Sequence, residues 1–146
     1  MERKIKGTLY GVVLFFITIT GFAQMPIFKR YYIADIPGLG WLAQFYVTHS
    51  LHYIFAAALI GLGMFVLLDL MLNGKGFFSV TKSGKVRGVL IMGLMISGGF
   101  MVIRNLPGVY FSHGAIHVMN LAHLGFCMVL LMVSAYTLIT GKKWIR

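Results

Sequence analysis

The sequence predicts an all-α membrane protein, a four-transmembrane-helix bundle with both termini in the cytoplasm. Of its 146 residues, 59% are hydrophobic and only 11% are charged, whereas soluble domains carry about 25% charged residues. The hydrophobic residues are concentrated in four runs, each near the roughly 20 apolar residues that a membrane helix requires. Lysine and arginine gather at the ends of these runs, as is typical of membrane proteins.

The four helices are predicted, in chain order, over residues 7–24, 45–72, 88–104 and 115–140. The segments between them contain turn-forming residues, among them Pro37-Gly38, Asn73-Gly74 and Pro107-Gly108. No connecting segment is long enough to fold separately, and no internal repeat is evident. The prediction is therefore one membrane domain over residues 1–146.

The first run also has features of a secretory signal peptide. Basic residues precede it, and Gly21-Phe22-Ala23 has the small-x-small pattern of a cleavage site. We expect the run to be retained as a helix.

The distribution of lysine and arginine predicts the orientation. Ten of these residues lie in the N-terminal segment, the 73–87 connector and the C-terminal segment, and three lie in the other two connectors. By the positive-inside rule, both termini face the cytoplasm of a prokaryotic cell, and the membrane is its inner membrane. The net charge of +10 is thereby explained by topology, and we expect no nucleic-acid partner.

All five histidines fall toward the outer side in this topology. His49 and His52 open the second helix, and the other three lie at the start of the fourth, which runs parallel to it: His113, His117 and His123. At the rise of an α-helix, His52 lies about 10 Å and His123 about 12 Å below the start of its helix. Ionisable residues inside a membrane are usually functional, and two histidines on facing helices can hold a haem iron. We predict His52 and His123 as the axial ligands, with His49 and His117 as alternates.

The remaining outer polar residues are candidates for quinone or haem-propionate contacts. Arg104 ends the third helix at a similar depth, where a guanidinium suits either partner, although a snorkelling interfacial arginine is the alternative. His113 and His117 are the other two candidates, and a headgroup-level role is the competing interpretation for His49 and His113. A zinc site is less favoured, because no Asp or Glu accompanies the histidines.

Several short motifs carry a resemblance to a known family. They are Leu51-His52-Tyr53 and Leu121-Ala122-His123-Leu124-Gly125, with looser matches at Gly21-Phe22 and from Ser97-Gly98-Gly99 to Arg104. The chain resembles the integral-membrane cytochrome b subunits of respiratory formate dehydrogenases and nickel–iron hydrogenases. The resemblance implies two stacked haems b, with one ligand from the first helix, one from the second and two from the fourth.

This sequence departs from the family pattern on the cytoplasmic side. The first run contains no histidine, and Tyr136, Thr137 and Leu138 stand where the inner ligand of the fourth helix is expected. The ligands of the outer haem remain, so we predict a reduced version of the fold with one haem b.

The expected function is that of an electron-transfer subunit of a respiratory complex. It would pass electrons between an outer-face Fe–S or multihaem partner and the quinone pool through one bis-histidine haem b. The chain contains no complete oxidoreductase active site. The alternative is a haem-free anchor or quinone-binding subunit that tethers an outer catalytic subunit. A small transporter is less favoured, since no charged residue lies at mid-membrane depth.

Overall fold

A computed structural model describes residues 3–25, 27–72 and 80–142 of the chain. The described elements, in order, are α1 (Arg3–Ala23), α2 (Ile27–Arg30), two short 3₁₀ helices (Ile33–Asp35 and Gly40–Ala43), α3 (Phe45–Leu72), α4 (Lys82–Ile103) and α5 (His113–Ile139). The long helices α1, α3, α4 and α5 correspond to the four predicted ones. The protein is therefore all-helical in its long elements, as the hydropathy pattern predicts.

The observed helix bounds differ from the predicted ones mainly at N-termini. The bounds of α3 agree with the prediction, whereas α1 and α4 begin earlier, at Arg3 and Lys82. Lysine and arginine are good helix formers, so a helix continues past the end of the apolar run. The start of α4 is set by Thr81, whose hydroxyl accepts a hydrogen bond from the Gly84 N–H at 3.1 Å. Ser112 caps α5 in the same way, through the Ala115 N–H at 3.3 Å.

Three helices of the described chain are long and apolar enough to cross a membrane, namely α3, α4 and α5. The apolar part of α1, Gly7–Ala23, is shorter. These lengths fit a multi-pass membrane protein. The role of α1 as a fourth span and the cytoplasmic position of both termini stay predictions.

The chain divides into two compact units, Met1–Asp69 and Leu70–Arg146. The first contains α1 and most of α3, and the second contains α4 and α5. In the first unit, α1 meets α3 through side chains: the rings of Phe16 and Phe55 stack with centroids 4.9 Å apart. In the second unit, α4 and α5 approach closely along their length, and Gly93 on α4 lies against the ring of Phe126 on α5.

Few side chains are fully buried within the chain, and several of those are polar. Thr20 and Thr48 are 0% exposed, and Arg87 is 4% exposed. The Arg87 guanidinium donates a hydrogen bond to the carbonyl oxygen of Ser134 at 3.5 Å. Large hydrophobic side chains instead face outward along all four long helices, as expected where lipid replaces water as the surrounding solvent.

Candidate functional site

His52 on α3 is held by α1. Its Nδ1 lies 3.0 Å from the backbone carbonyl oxygen of Ile17 and 3.3 Å from Oγ1 of Thr20. A carbonyl oxygen only accepts hydrogen bonds, so this geometry assigns the ring hydrogen to Nδ1. In a neutral imidazole, Nε2 then carries the lone pair that binds a metal.

The Thr20 hydroxyl has a defined direction. It donates to the carbonyl oxygen of Phe16, one turn earlier in α1, at 2.7 Å. Because its hydrogen is used in that bond, its oxygen is left to accept the Nδ1–H of His52. The side chain is fully buried, which protects this pair of hydrogen bonds from water.

Gly21, the next residue of α1, gives the His52 ring its space. A Cβ atom built at Gly21 would lie 3.0 Å from Cε1 of His52, closer than carbon atoms normally approach. The imidazole therefore rests against the backbone of α1, which a side chain at this position would obstruct.

His123 on α5 has the same surroundings, supplied by α4. Its Nδ1 lies 2.9 Å from Oγ of Ser97, and it also forms a hydrogen bond with the backbone of Leu94. The Ser97 hydroxyl donates to the carbonyl oxygen of Gly93 at 2.8 Å. A Cβ atom at Gly98 would lie 3.3 Å from Cε1 of His123. His123 is thus held at Nδ1 by a hydroxyl, hydrogen-bonded to the backbone of the neighbouring helix and packed against a glycine, much as His52 is.

The residues that contact His52 and those that contact His123 are separated by constant distances in the sequence. Ile17, Thr20 and Gly21 each precede their α4 counterparts by 77 positions, and His52 precedes His123 by 71. The correspondence extends to the core, where Val13 matches Leu90 and Leu59 matches Leu130, all of them buried. Although no internal repeat is evident in the sequence, the two units repeat these contacts. The repeat is hidden in the sequence because the paired residues share chemistry more often than identity.

One helical turn before each histidine, a polar side chain bonds to the end of the neighbouring helix. His49 Nδ1 lies 3.1 Å from Oε1 of Gln24, just after α1. Asn120 Oδ1 accepts a hydrogen bond from Arg104, just after α4, at 3.4 Å. The His49 ring is also stacked on Phe45, with centroids 5.1 Å apart. His49, an alternate ligand in the prediction, thus occupies a position that asparagine fills in the second unit.

The other predicted outer residues lie at the start of α5. The rings of His113 and His117 contact each other, with centroids 6.1 Å apart, and both side chains are exposed. The structure joins Arg104 to Asn120. The predicted role of Arg104, His113 and His117 in binding a quinone or a haem propionate stays a prediction.

Thr20, Gly21, Ser97 and Gly98 are absent from the predicted site, although the sequence contains a signal for them. A hydroxyl residue followed by glycine occurs near the outer end of both the first and the third predicted helix. The dipeptide is too short to indicate a site by itself, and its partner histidine is distant in the sequence.

The hydrogen bonds of His52 and His123 resemble those of metal-binding histidines. Such histidines almost always donate their other ring N–H to a carbonyl, a carboxylate or water. His52 donates to the carbonyl of Ile17, and His123 donates to the Ser97 hydroxyl. Within residues 3–25, 27–72 and 80–142, no group of three or more His, Cys, Asp or Glu side chains could hold a metal ion. An axially ligated haem takes two protein side chains, because the porphyrin supplies the other four nitrogens.

Comparisons with known proteins add no support to the resemblance to cytochrome b subunits, which rests on the short sequence motifs alone. The sequence matches no family model, and comparisons with curated proteins and with solved structures find no similar chain.

Proposed function

We propose that the chain is a membrane cytochrome b, an electron-transfer subunit of a respiratory complex in which His52 and His123 are the axial ligands of one haem b. The observation that carries the proposal is the hydrogen bond at Nδ1 of each ring. Ile17 and Thr20 bind His52 there, and Ser97 binds His123. Both imidazoles are thereby held in the tautomer that ligates a metal through Nε2.

The correspondence between the two units favours these two histidines over the alternates. His49 has a side-chain amide as its Nδ1 partner, and the corresponding residue of the second unit is Asn120. His117 is exposed, and its ring meets that of His113 edge to face. Only His52 and His123 occupy equivalent positions in the two units, as a pair of equivalent axial ligands would.

A bound haem b would supply one-electron redox chemistry. The chain's own residues would bind and orient the haem. The two histidines would provide the ligand nitrogens, and the glycines at 21 and 98 let the histidine rings lie against neighbouring helices. Arg104, His113 and His117 are the proposed contacts of a haem propionate or a quinone, since each can donate a hydrogen bond to an oxygen. The proposed partner is an outer-face Fe–S or multihaem subunit, and the proposed location is the prokaryotic inner membrane.

The proposal is tested by the spectrum and haem content of the full chain purified in detergent. We expect a dithionite-reduced minus oxidised spectrum with a sharp α-band and one haem b per chain. His52→Ala and His123→Ala should each abolish haem binding, whereas His49→Ala, the matched control, should retain it.

The possible outcomes separate the alternatives. Loss of the single haem in both ligand variants supports one iron bound by both histidines. If the chain bound more than one haem and each variant lost only part of it, the proposal that His52 and His123 bind the same iron would be overturned. A folded wild-type chain without haem would overturn the cytochrome and leave the anchor or quinone-binding subunit.

A further inference from the structure

We infer that Thr20 with Gly21, and Ser97 with Gly98, are positioning residues that fix the two histidine rings as Nε2 ligands, an inference that rests on the proposed function. Each pair, together with the carbonyl of Ile17 or Leu94, is called a clamp below. The first clamp is supplied by α1 and the second by α4. Neither clamp contains a residue that itself binds iron.

The first step of the argument is the choice of tautomer. Either nitrogen of a neutral imidazole can carry the hydrogen, and only one arrangement leaves Nε2 as the ligand atom. The carbonyl oxygen of Ile17 accepts from Nδ1 of His52. The Ser97 hydroxyl, whose own hydrogen goes to the Gly93 carbonyl, accepts from Nδ1 of His123. Both rings therefore carry their hydrogen on Nδ1.

The second step is the hydroxyl group. The hydrogens of Thr20 and Ser97 are used by the carbonyls of Phe16 and Gly93, at 2.7 and 2.8 Å. Each oxygen is thereby fixed as an acceptor for the histidine. Only a hydroxyl can donate to its own helix and accept from the ring at once, so valine or alanine would remove the second acceptor at Nδ1.

The third step is the close approach at glycine. With a Cβ atom at Gly21 or Gly98, the contacts to the histidine Cε1 atoms would be 3.0 and 3.3 Å, so the ring would have to move by a few tenths of an ångström. Ligand sites need their groups held within about 0.5 Å of the working geometry. The glycines therefore set where each ring lies.

The fourth step is the repetition of the clamp in the same register. The hydroxyl, the glycine and the carbonyl of the first clamp have counterparts of the same type 77 positions later in the sequence. The neighbouring residue differs, because Phe16 corresponds to Gly93. The two units thus differ in how their helices pack but agree in the groups that face the ring. Packing alone would not require a hydroxyl at both positions.

The clamp has an electronic consequence. Hydrogen bonding at Nδ1–H raises the basicity of a ligating imidazole, and a stronger donor stabilises the oxidised iron. Removing the hydroxyl should therefore shift the midpoint potential of the haem to a more positive value.

The test uses the full chain and compares Thr20→Val and Ser97→Ala with the hydroxyl-retaining variants Thr20→Ser and Ser97→Thr. The matched controls are Thr48→Val and Thr137→Val. Both threonines are buried and hydrogen-bond to their own helix as Thr20 does, without a histidine partner among their contacts. The readouts are haem per chain, the midpoint potential from a redox titration, and circular dichroism for folding.

We expect Thr20→Val and Ser97→Ala to weaken haem binding by about tenfold, the lower end of what is usual when a hydrogen-bond partner of a metal ligand is lost, and to raise the midpoint potential. The hydroxyl-retaining variants and both controls should behave like the wild type. The inference is overturned if Thr20→Val and Ser97→Ala match Thr48→Val and Thr137→Val in both haem binding and potential.

A second measurement works without haem. Nitrogen-15 spectra of the haem-free chain should show hydrogen on Nδ1 of both His52 and His123. Hydrogen on Nε2 of either ring would overturn the inference that the clamps fix the tautomer, whether or not the chain binds haem. Hydrogen on Nδ1 in a folded chain that binds no haem would support the clamps and overturn the proposed function alone.

Discussion

Nδ1 of His52 on α3 lies 3.0 Å from the backbone carbonyl oxygen of Ile17 on α1. This relationship gives the first helix a place in the candidate site, although it contains no histidine. In the cytochrome b family proposed from the sequence motifs, the first helix supplies a ligand. Here α1 supplies the groups that hold a ligand of α3, and α4 does the same for α5. Each unit therefore pairs one helix that carries a histidine with one helix that orients it.

Alanine at either clamp glycine should reduce haem binding, and Gly21→Ala should do so more than Gly98→Ala. The added Cβ atom would lie 3.0 Å from the His52 ring but 3.3 Å from the His123 ring. Haem per chain and the reduced α-band would measure the effect.

The control substitutions for that experiment are Gly11→Ala and Gly99→Ala, where an added Cβ atom meets nothing within 4 Å. Both should bind haem like the wild type and should gain about 0.5–1 kcal/mol of stability from the helix propensity of alanine. A Gly21→Ala chain with wild-type haem content and spectrum would contradict the close approach.

Packing of α4 on α5 should depend on Gly93. A Cβ atom there would lie 2.9 Å from the Phe126 ring, so Gly93→Ala should lower the free energy of unfolding by about 1–3 kcal/mol, the usual cost of overpacking. Thermal denaturation in detergent would measure the loss. Adding Phe126→Leu should recover part of the stability, because a favourable coupling is expected between contacting residues. Purely additive effects would show that the two residues do not constrain each other.

Arg104 should affect electron exchange with quinol without affecting haem binding. As the proposed contact of a quinone or propionate, it would lose a charged hydrogen bond worth about 1.5–3 kcal/mol in Arg104→Gln. We expect haem reduction by a soluble quinol analogue to slow by at least about tenfold, since each factor of ten corresponds to about 1.4 kcal/mol. Arg30→Gln is the control, since Arg30 is also predicted to lie on the outer side, in the other outer connector. Equal rates in wild type and Arg104→Gln would remove Arg104 from the quinone contacts.

The predicted topology can be read from reporter fusions. A fluorescent protein fused after Arg146 should fluoresce, since it would fold in the cytoplasm, and an alkaline phosphatase fusion there should be inactive. The phosphatase should be active when inserted between α4 and α5, next to Gly108. The opposite pattern would reverse the orientation.

Retention of the first helix is tested by the intact mass of the purified chain. We expect the mass of the complete sequence, 16.3 kDa. A product shortened to a position after Ala23 would identify the first run as a cleaved signal peptide and would remove the clamp of His52.

The hydropathy and histidine patterns of the sequence by themselves determined the long helices and which histidines lie deep within them. The bounds of α3 were predicted at both ends, because helix hydrogen bonds are local and the apolar run ends where the helix ends. His52 and His123 could be chosen by depth, since the rise per residue of a helix is constant. The earlier starts of α1 and α4 escaped prediction because charged residues also form helix.

Only the tertiary structure decided what surrounds each histidine. Ile17 lies 35 positions before His52, and Ser97 lies 26 before His123. Such contacts depend on how each helix is rotated about its axis and how closely it approaches its neighbour. Those quantities follow from the packing of many side chains, such as Phe16 on Phe55 and Gly93 against Phe126. The repeat of the two units emerged for the same reason, because it is a repeat of contacts between distant residues.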